Sequence, residues 1–362
     1  MITGNKGEWS EIYTFLKLLA DGRLYAADSD LNRIENIYYP ILKILRTETD
    51  GSREYCRNGN IKVINGDDGQ LLVSLPINTF VEYSKKLYNI IIDSNGKRAF
   101  PAPEIEEFLS SINCTTIKAQ ANEKSDITLV VHDQFTGFDP ILGFSIKSRI
   151  GGASTLLNPG TTTNFIYKIR KKSFTNLEIE YINSINPLQR KYKDRITYIL
   201  SNGGKFKFTG MENEIFKLNL QVIDSNMPII VSNMLLNYYM GNASSLIDLL
   251  DIVEKENPCN FNLGYNHTFY EYKIKSLLTD IALGMTPATV WKGHYDATGG
   301  YIVVKEDGEI LCYHIYNRNE FEDYLLKNTK LDTPSHRYNF GELYKEKNDV
   351  YMKLNLQIRF KK

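Results

Sequence analysis

Residues 123–148, EKSDITLVVHDQFTGFDPILGFSIKS, carry two apolar, β-branched runs separated by a stretch rich in Asp, Gly and Pro. That order predicts a β-hairpin. With the turn at DQFTGFDP, residues 133–140, antiparallel pairing sets Ile127 opposite Ile146, Leu129 opposite Phe144, Val131 opposite Leu142 and Asp126 opposite Lys147. Side chains alternate along a strand, so one face is wholly apolar and the other carries Asp126, Ser145 and Lys147. An Asp–Lys cross-strand pair on a wet surface contributes only a few tenths of a kcal/mol. Taken alone, the two read as such a surface pair.

The rest of the chain frames this hairpin with alternating helical and strand patterns. EWSEIYTFLKLLADG has apolar residues at 9, 12, 13, 15, 16, 18 and 19 and closes on Gly22, a helix signature. Strands are expected at NIKVI and LLVSLP, and helices at NTFVEYSKKLYNIII and PEIEEFLSSIN. Residues 211–285 read as largely helical, and GGYIVVKEDGEILCYHIY as a hairpin about Asp307-Gly308, a pair suited to a type I′ turn. The class is therefore α/β. A division near residue 205 is expected, with a core at 1–205 that holds the hairpin and a helical and β-hairpin region at 206–362, the alternative being a single domain.

Forty-three basic residues balance forty-three acidic ones, so a nucleic-acid partner must be met by local patches. Cys56, Cys114, Cys259 and Cys312 are far apart and form no CxxC pair, which argues against a disulfide framework and a zinc ribbon. No apolar run reaches the roughly 20 residues that a bilayer span needs. MITGNKGEWSE lacks the apolar core of a signal peptide, and a cytoplasmic setting with no membrane partner is expected.

An acid on one strand and x-K on the next resembles the PD-(D/E)xK nucleases, in which the carboxylate binds Mg²⁺ and the lysine polarises or deprotonates the attacking water. Two positions depart from that pattern: Ser125 stands where proline often precedes the aspartate, and Ser145 stands at the acidic position. One carboxylate holds Mg²⁺ weakly, so a second is expected from elsewhere. Glu8 and Glu11 lie three apart on one face of the first helix. The alternative reading is a DNA-binding protein with a degenerate, non-catalytic nuclease core.

Taken together, NKGEWSEIYTFLKLLADGRLYAAD, SDITLVV with GFSIKS, TLLNPGTTTNFIY and LCYHIYNRNEFEDYLL resemble the HpaII family of type II restriction endonucleases, from the first helix to the C-terminus. The resemblance implies a restriction-endonuclease-like mixed central sheet flanked by helices, and Mg²⁺-dependent cleavage of double-stranded DNA at a short palindrome. The family prototype cuts CCGG. It further implies a homodimer and a cognate DNA methyltransferase as genetic partner. Mapped residue by residue, Asp126 is a metal ligand, Lys147 activates water or stabilises the transition state, Glu11 is the second acid with Glu8 in reserve, and Ser145 orients water.

Candidate DNA contacts are Ser148 and Arg149 at the end of the catalytic strand, and Asn158, Thr161, Thr162, Thr163 and Asn164 in the loop after it. The basic runs add Lys168, Arg170, Lys171 and Lys172, then Arg190, Lys191, Lys193 and Arg195, with Arg318 as a further arginine. None of the five histidines has metal-ligand or HNH spacing, and His314 reads as structural.

Overall fold

The computed structural model describes residues 2–94, 98–117, 125–134, 136–170, 172–187 and 190–361. Glu123 and Lys171 lie outside them. The chain is a mixed α/β protein with ten α-helices among the described residues.

The first helix, Lys6–Asp21, starts at a capping box in which Asn5 and Glu8 bond each other's backbone N–H, and it ends at Gly22 in the left-handed conformation (φ 69°). Its expected apolar stripe of Trp9, Ile12, Tyr13, Phe15, Leu16, Leu18 and Leu19 is buried throughout. At roughly 1.5–3 kcal/mol for each fully buried large side chain, that stripe anchors the helix firmly. Arg57 Nε donates to Leu19 O at 3.0 Å and satisfies a carbonyl of the last turn.

Under this helix runs a nine-stranded mixed sheet in the order 23–27, 310–313, 300–304, 141–148, 127–131, 33–48, 51–58, 60–65, 71–76. Gly300–Val304 is parallel to Ile141–Ser148, and Ile310–Tyr313 is parallel to Arg23–Ala27. Arg23–Ala27 also pairs with the first half of the long strand Arg33–Glu48, which closes that end of the sheet on itself. A second sheet, 205–211, 164–170, 349–355, 343–346, is antiparallel.

Alternate residues of the central strands feed two separate cores. Phe144, Ile146, Ile302 and Val304 pack with the first helix. Tyr301, Val303, Leu311 and Tyr313 pack toward helices Met227–Met240, Leu246–Glu256, Phe269–Leu283 and Arg318–Asn328.

The 127–131/141–148 hairpin forms with its faces as expected but in a different register. Ile127 pairs with Phe144, Leu129 with Leu142 and Val130 with Ile141, a two-residue slip from the pairing expected of the sequence. The chain reverses one residue earlier than the expected turn, because Val131 N–H bonds Pro140 O and Asp133 N–H bonds Phe138 O in the same register as the ladder. An even slip preserves every side chain's face.

At Asp307-Gly308 the hairpin forms, again in another register. Lys305 N–H donates to Glu309 O and Gly308 N–H to Lys305 O, and only Gly308 has positive φ (85°). A three-residue loop therefore stands where a type I′ pair was expected.

Candidate active site

Asp126 immediately precedes its strand, and its N–H bonds Phe144 O at 3.0 Å. It sits across from Ser145 rather than Lys147, and one carboxylate oxygen, Oδ2, accepts from Ile146 N–H at 2.6 Å and from the Ser145 hydroxyl at 3.2 Å. Along the strand Gly300–Val304, Lys147 pairs with Val303 and Ser148 with Val304. Lys147 is half-buried. Among the described residues its ammonium has no hydrogen bond or ion pair.

Beside this end of the strand the first helix brings Glu11, which lines a hollow with Lys147 and Ser148. Burial, then the negative charge of Asp126, pushes the Glu11 carboxyl up to about 8, with Lys147 pulling the other way. These three groups share one local field, although the sequence separates Glu11 from the other two by more than a hundred residues. Lys147 borders two hollows. One, of about 270 Å³, is lined by Lys6, Glu11, Lys147, Ser148 and Thr155. The other, of about 420 Å³, is lined by Ser145, Lys147, Asn158, Thr162 and the segment Gly284–Ala288. A smaller hollow of about 40 Å³ near Thr279 and Tyr295 lies apart from these groups. It has room for little more than water.

Glu11 and Asp126 make an electrostatically strained pair of hard oxygen donors, and Asp126 Oδ1 has no hydrogen-bond partner among the described residues. A divalent cation would relieve that strain, so the donor set fits one. Among the described residues no three His, Cys, Asp or Glu side chains gather into a metal cage. A cation here would keep much of its shell as water and substrate oxygen, as Mg²⁺ does. Glu8 is occupied in the capping box, where its Oε2 accepts Asn5 N–H at 2.8 Å.

The HpaII restriction endonuclease family model matches residues 5–360 of the chain. A type II restriction enzyme, HpaII of Haemophilus parainfluenzae, is 47% identical over 359 residues, covering 99% of this chain and 98% of its own length. The chain belongs to the HpaII restriction endonuclease family. It is an enzyme, a type II restriction endonuclease, and its partner is DNA. No solved structure matches it.

Within this HpaII family member the expected DNA contacts separate into two groups. Asn158 is exposed and Thr162 half-buried, and both line the hollow beside Lys147. Ser148 is anchored to the first helix, 2.9 Å from the Ser10 hydroxyl, and Arg149 is half-buried just beyond it.

Asn164 and Thr163 are fully buried. Asn164 Nδ2 donates to Glu212 and to Tyr338 O, its Oδ1 accepts from Asn355, and the Thr163 hydroxyl donates to Gly160 O and Asn355 Oδ1. Their polar atoms are spent inside the protein, so both are withdrawn as DNA contacts. Arg195 is likewise 3% exposed and donates to carbonyls of Ile185, Gly341 and Asn183. Lys168 pairs with Asp349, Lys172 with Glu178, Arg190 with Asp194 and Arg318 with Glu322.

The segment 284–298, GMTPATVWKGHYDAT, went unnoticed in the sequence. Its signal was present, a Gly/Thr/Pro-rich stretch of the same kind as 151–163.

Proposed function

We propose that this enzyme cleaves double-stranded DNA at a short palindrome, CCGG by resemblance to the family prototype, in a Mg²⁺-dependent hydrolysis carried by Asp126, Glu11 and Lys147. The observation that carries the reading is the raised carboxyl of Glu11 against Asp126, beside the ammonium of Lys147. The central sheet, mixed and helix-covered on both faces, is read as the restriction-endonuclease-like core.

Asp126 and Glu11 are the residues that would hold Mg²⁺, which when bound supplies positive charge against phosphate oxygens and acidifies water. Asp126 is preset for this by Ile146 N–H and Ser145, which fix one of its oxygens. Lys147 places its ammonium where the phosphate gains negative charge as water attacks phosphorus and one P–O ester bond breaks. The leaving oxygen takes up a proton. Groups fixed beforehand in this way need little reorganisation during reaction. A palindrome presents two equivalent strands, so a twofold homodimer with one site per strand suits it. A methyltransferase of the same specificity would protect the host's DNA.

The test is cleavage of unmethylated plasmid by Asp126→Asn and Lys147→Ala, with sequencing of the cut ends from the wild type. Each variant should lose about 10² to 10⁴ in rate and still bind cognate duplex. Wild-type rates in either would overturn the assignment, and ends that do not map to CCGG would overturn the proposed site.

A further inference from the structure

We infer that the loop Thr286–His294 is a base-reading element of the cleavage complex, held in shape by Asn219 and presenting Thr289, Val290 and Lys292 to a groove of the duplex. This rests on the catalytic assignment above. Of the two hollows that Lys147 borders, the larger has Asn158, Pro159 and Thr162 on one side and Gly284–Ala288 on the other, and a duplex whose scissile phosphate reaches Lys147 through it lies along those walls. The chain that continues from the second wall then borders a groove next to the cut phosphate. A major groove about 12 Å wide admits such an element.

This loop is irregular yet firmly built. Asn219, 2% exposed, donates Nδ2 to Thr286 O at 3.0 Å and to Thr289 O at 2.8 Å, and its Oδ1 accepts Trp291 N–H at 2.9 Å. The Thr286 and Thr289 hydroxyls bond each other at 2.6 Å, and Trp291 is buried near Tyr295. A plain connection between a helix and a strand needs no buried amide bridging three of its backbone groups. A recognition loop does, because order present before binding need not be imposed during it.

The exposed residues are equally telling. Val290 is 67% exposed, an apolar side chain with no packing reason to be there. Lys292 and His294 are exposed and, among the described residues, engage in no hydrogen bond or ion pair. Lys168, Lys172, Arg190 and Arg318, by contrast, are each matched by an acid. A threonine, an apolar contact and an unpaired lysine are groups able to discriminate base edges, the lysine through guanine O6 and N7.

The experiment uses the full chain carrying Thr289→Ala, Val290→Ala and Lys292→Ala together, and separately Asn219→Ala. Binding to cognate, single-base-changed and random duplexes is measured in the Lys147→Ala background with EDTA, and cleavage on the same duplexes with Lys147 intact. The triple variant should bind cognate duplex at least about 10-fold more weakly and random duplex within about 3-fold of the parent, so its discrimination falls about 10-fold or more.

Asn219, a positioning residue, should show the same loss of discrimination on substitution, with KM raised more than kcat is lowered. Unchanged discrimination in the triple variant, or an equal loss on every sequence, overturns the inference, as does an Asn219→Ala protein that only melts earlier. Lys147→Ala cutting at the wild-type rate would instead overturn the catalytic assignment, whatever the loop variants bind.

Discussion

A carboxyl held at a pKa of about 8, as that of Glu11 is, is mostly protonated at pH 7 in the metal-free protein and must ionise to hold a cation. The folded state keeps a proton that the unfolded chain releases near its ordinary value of 4.5. Between pH 4.5 and 8 the folded form therefore binds more protons, and Glu11 costs stability progressively as pH rises through that window. Glu11→Gln removes that cost. In EDTA the variant should melt within a degree or so of wild type at pH 5 and several degrees above it at pH 8, while its Mg²⁺-dependent cleavage falls by about 10² or more. Thermal melts at the two pH values and a Mg²⁺ titration of cleavage check the two halves. A wild-type melting profile with full activity would assign the second acid elsewhere.

Each hairpin obeyed its composition and still slipped in register, by two residues at 127–131/141–148 and by one at 300–304/310–313. Turn-forming residues mark where a chain reverses, but loop geometry decides which rungs pair. In the second hairpin the deciding residue is Gly308. Its φ of 85° disfavours a side chain, and a Cβ there would lie 2.8 Å from Tyr13 Oη, whose hydroxyl donates to Gly308 O. Gly308→Ala should therefore destabilise by roughly 1–2 kcal/mol, enough to lower Tm by a few degrees. Because the contact ties this hairpin to the first helix, Glu11 should be disturbed as well. Calorimetry and cleavage at one temperature separate the two effects, and an unchanged Tm would remove the strain argument.

At the scale of the whole molecule, the central sheet is a shared wall between two cores, with the candidate site at the C-terminal end of the strand Ile141–Ser148. That placement leaves Lys147 reachable from both sides, from the first helix and from the 284–294 loop. One such site per chain meets only one strand of a duplex at a time, so two chains are expected on a palindrome. Sedimentation of the protein with a cognate duplex of roughly 20 base pairs should show two chains per duplex. One chain per duplex, together with a nicked intermediate during cleavage, would favour a monomer acting twice.

The sequence by itself determined what local periodicity and side-chain parity can carry. It set the first helix with its Gly22 end, the α/β class, and the common face of Asp126, Ser145 and Lys147, which survives any even slip. Only the tertiary structure decided what depends on distant partners. The place of Lys147 within the sheet depends on Tyr301–Val304 running parallel to Ser145–Ser148, a contact no local pattern encodes. Asn164 and Arg195 looked like DNA contacts because side-chain type does not reveal whether buried carbonyls are waiting for it. The same limit hid Asn219, whose amide organises a loop about 70 residues away in sequence. Glu11 was named as one acid of two, but its raised pKa comes from burial and from the approach of Asp126, and both arise only when the helix packs across the sheet.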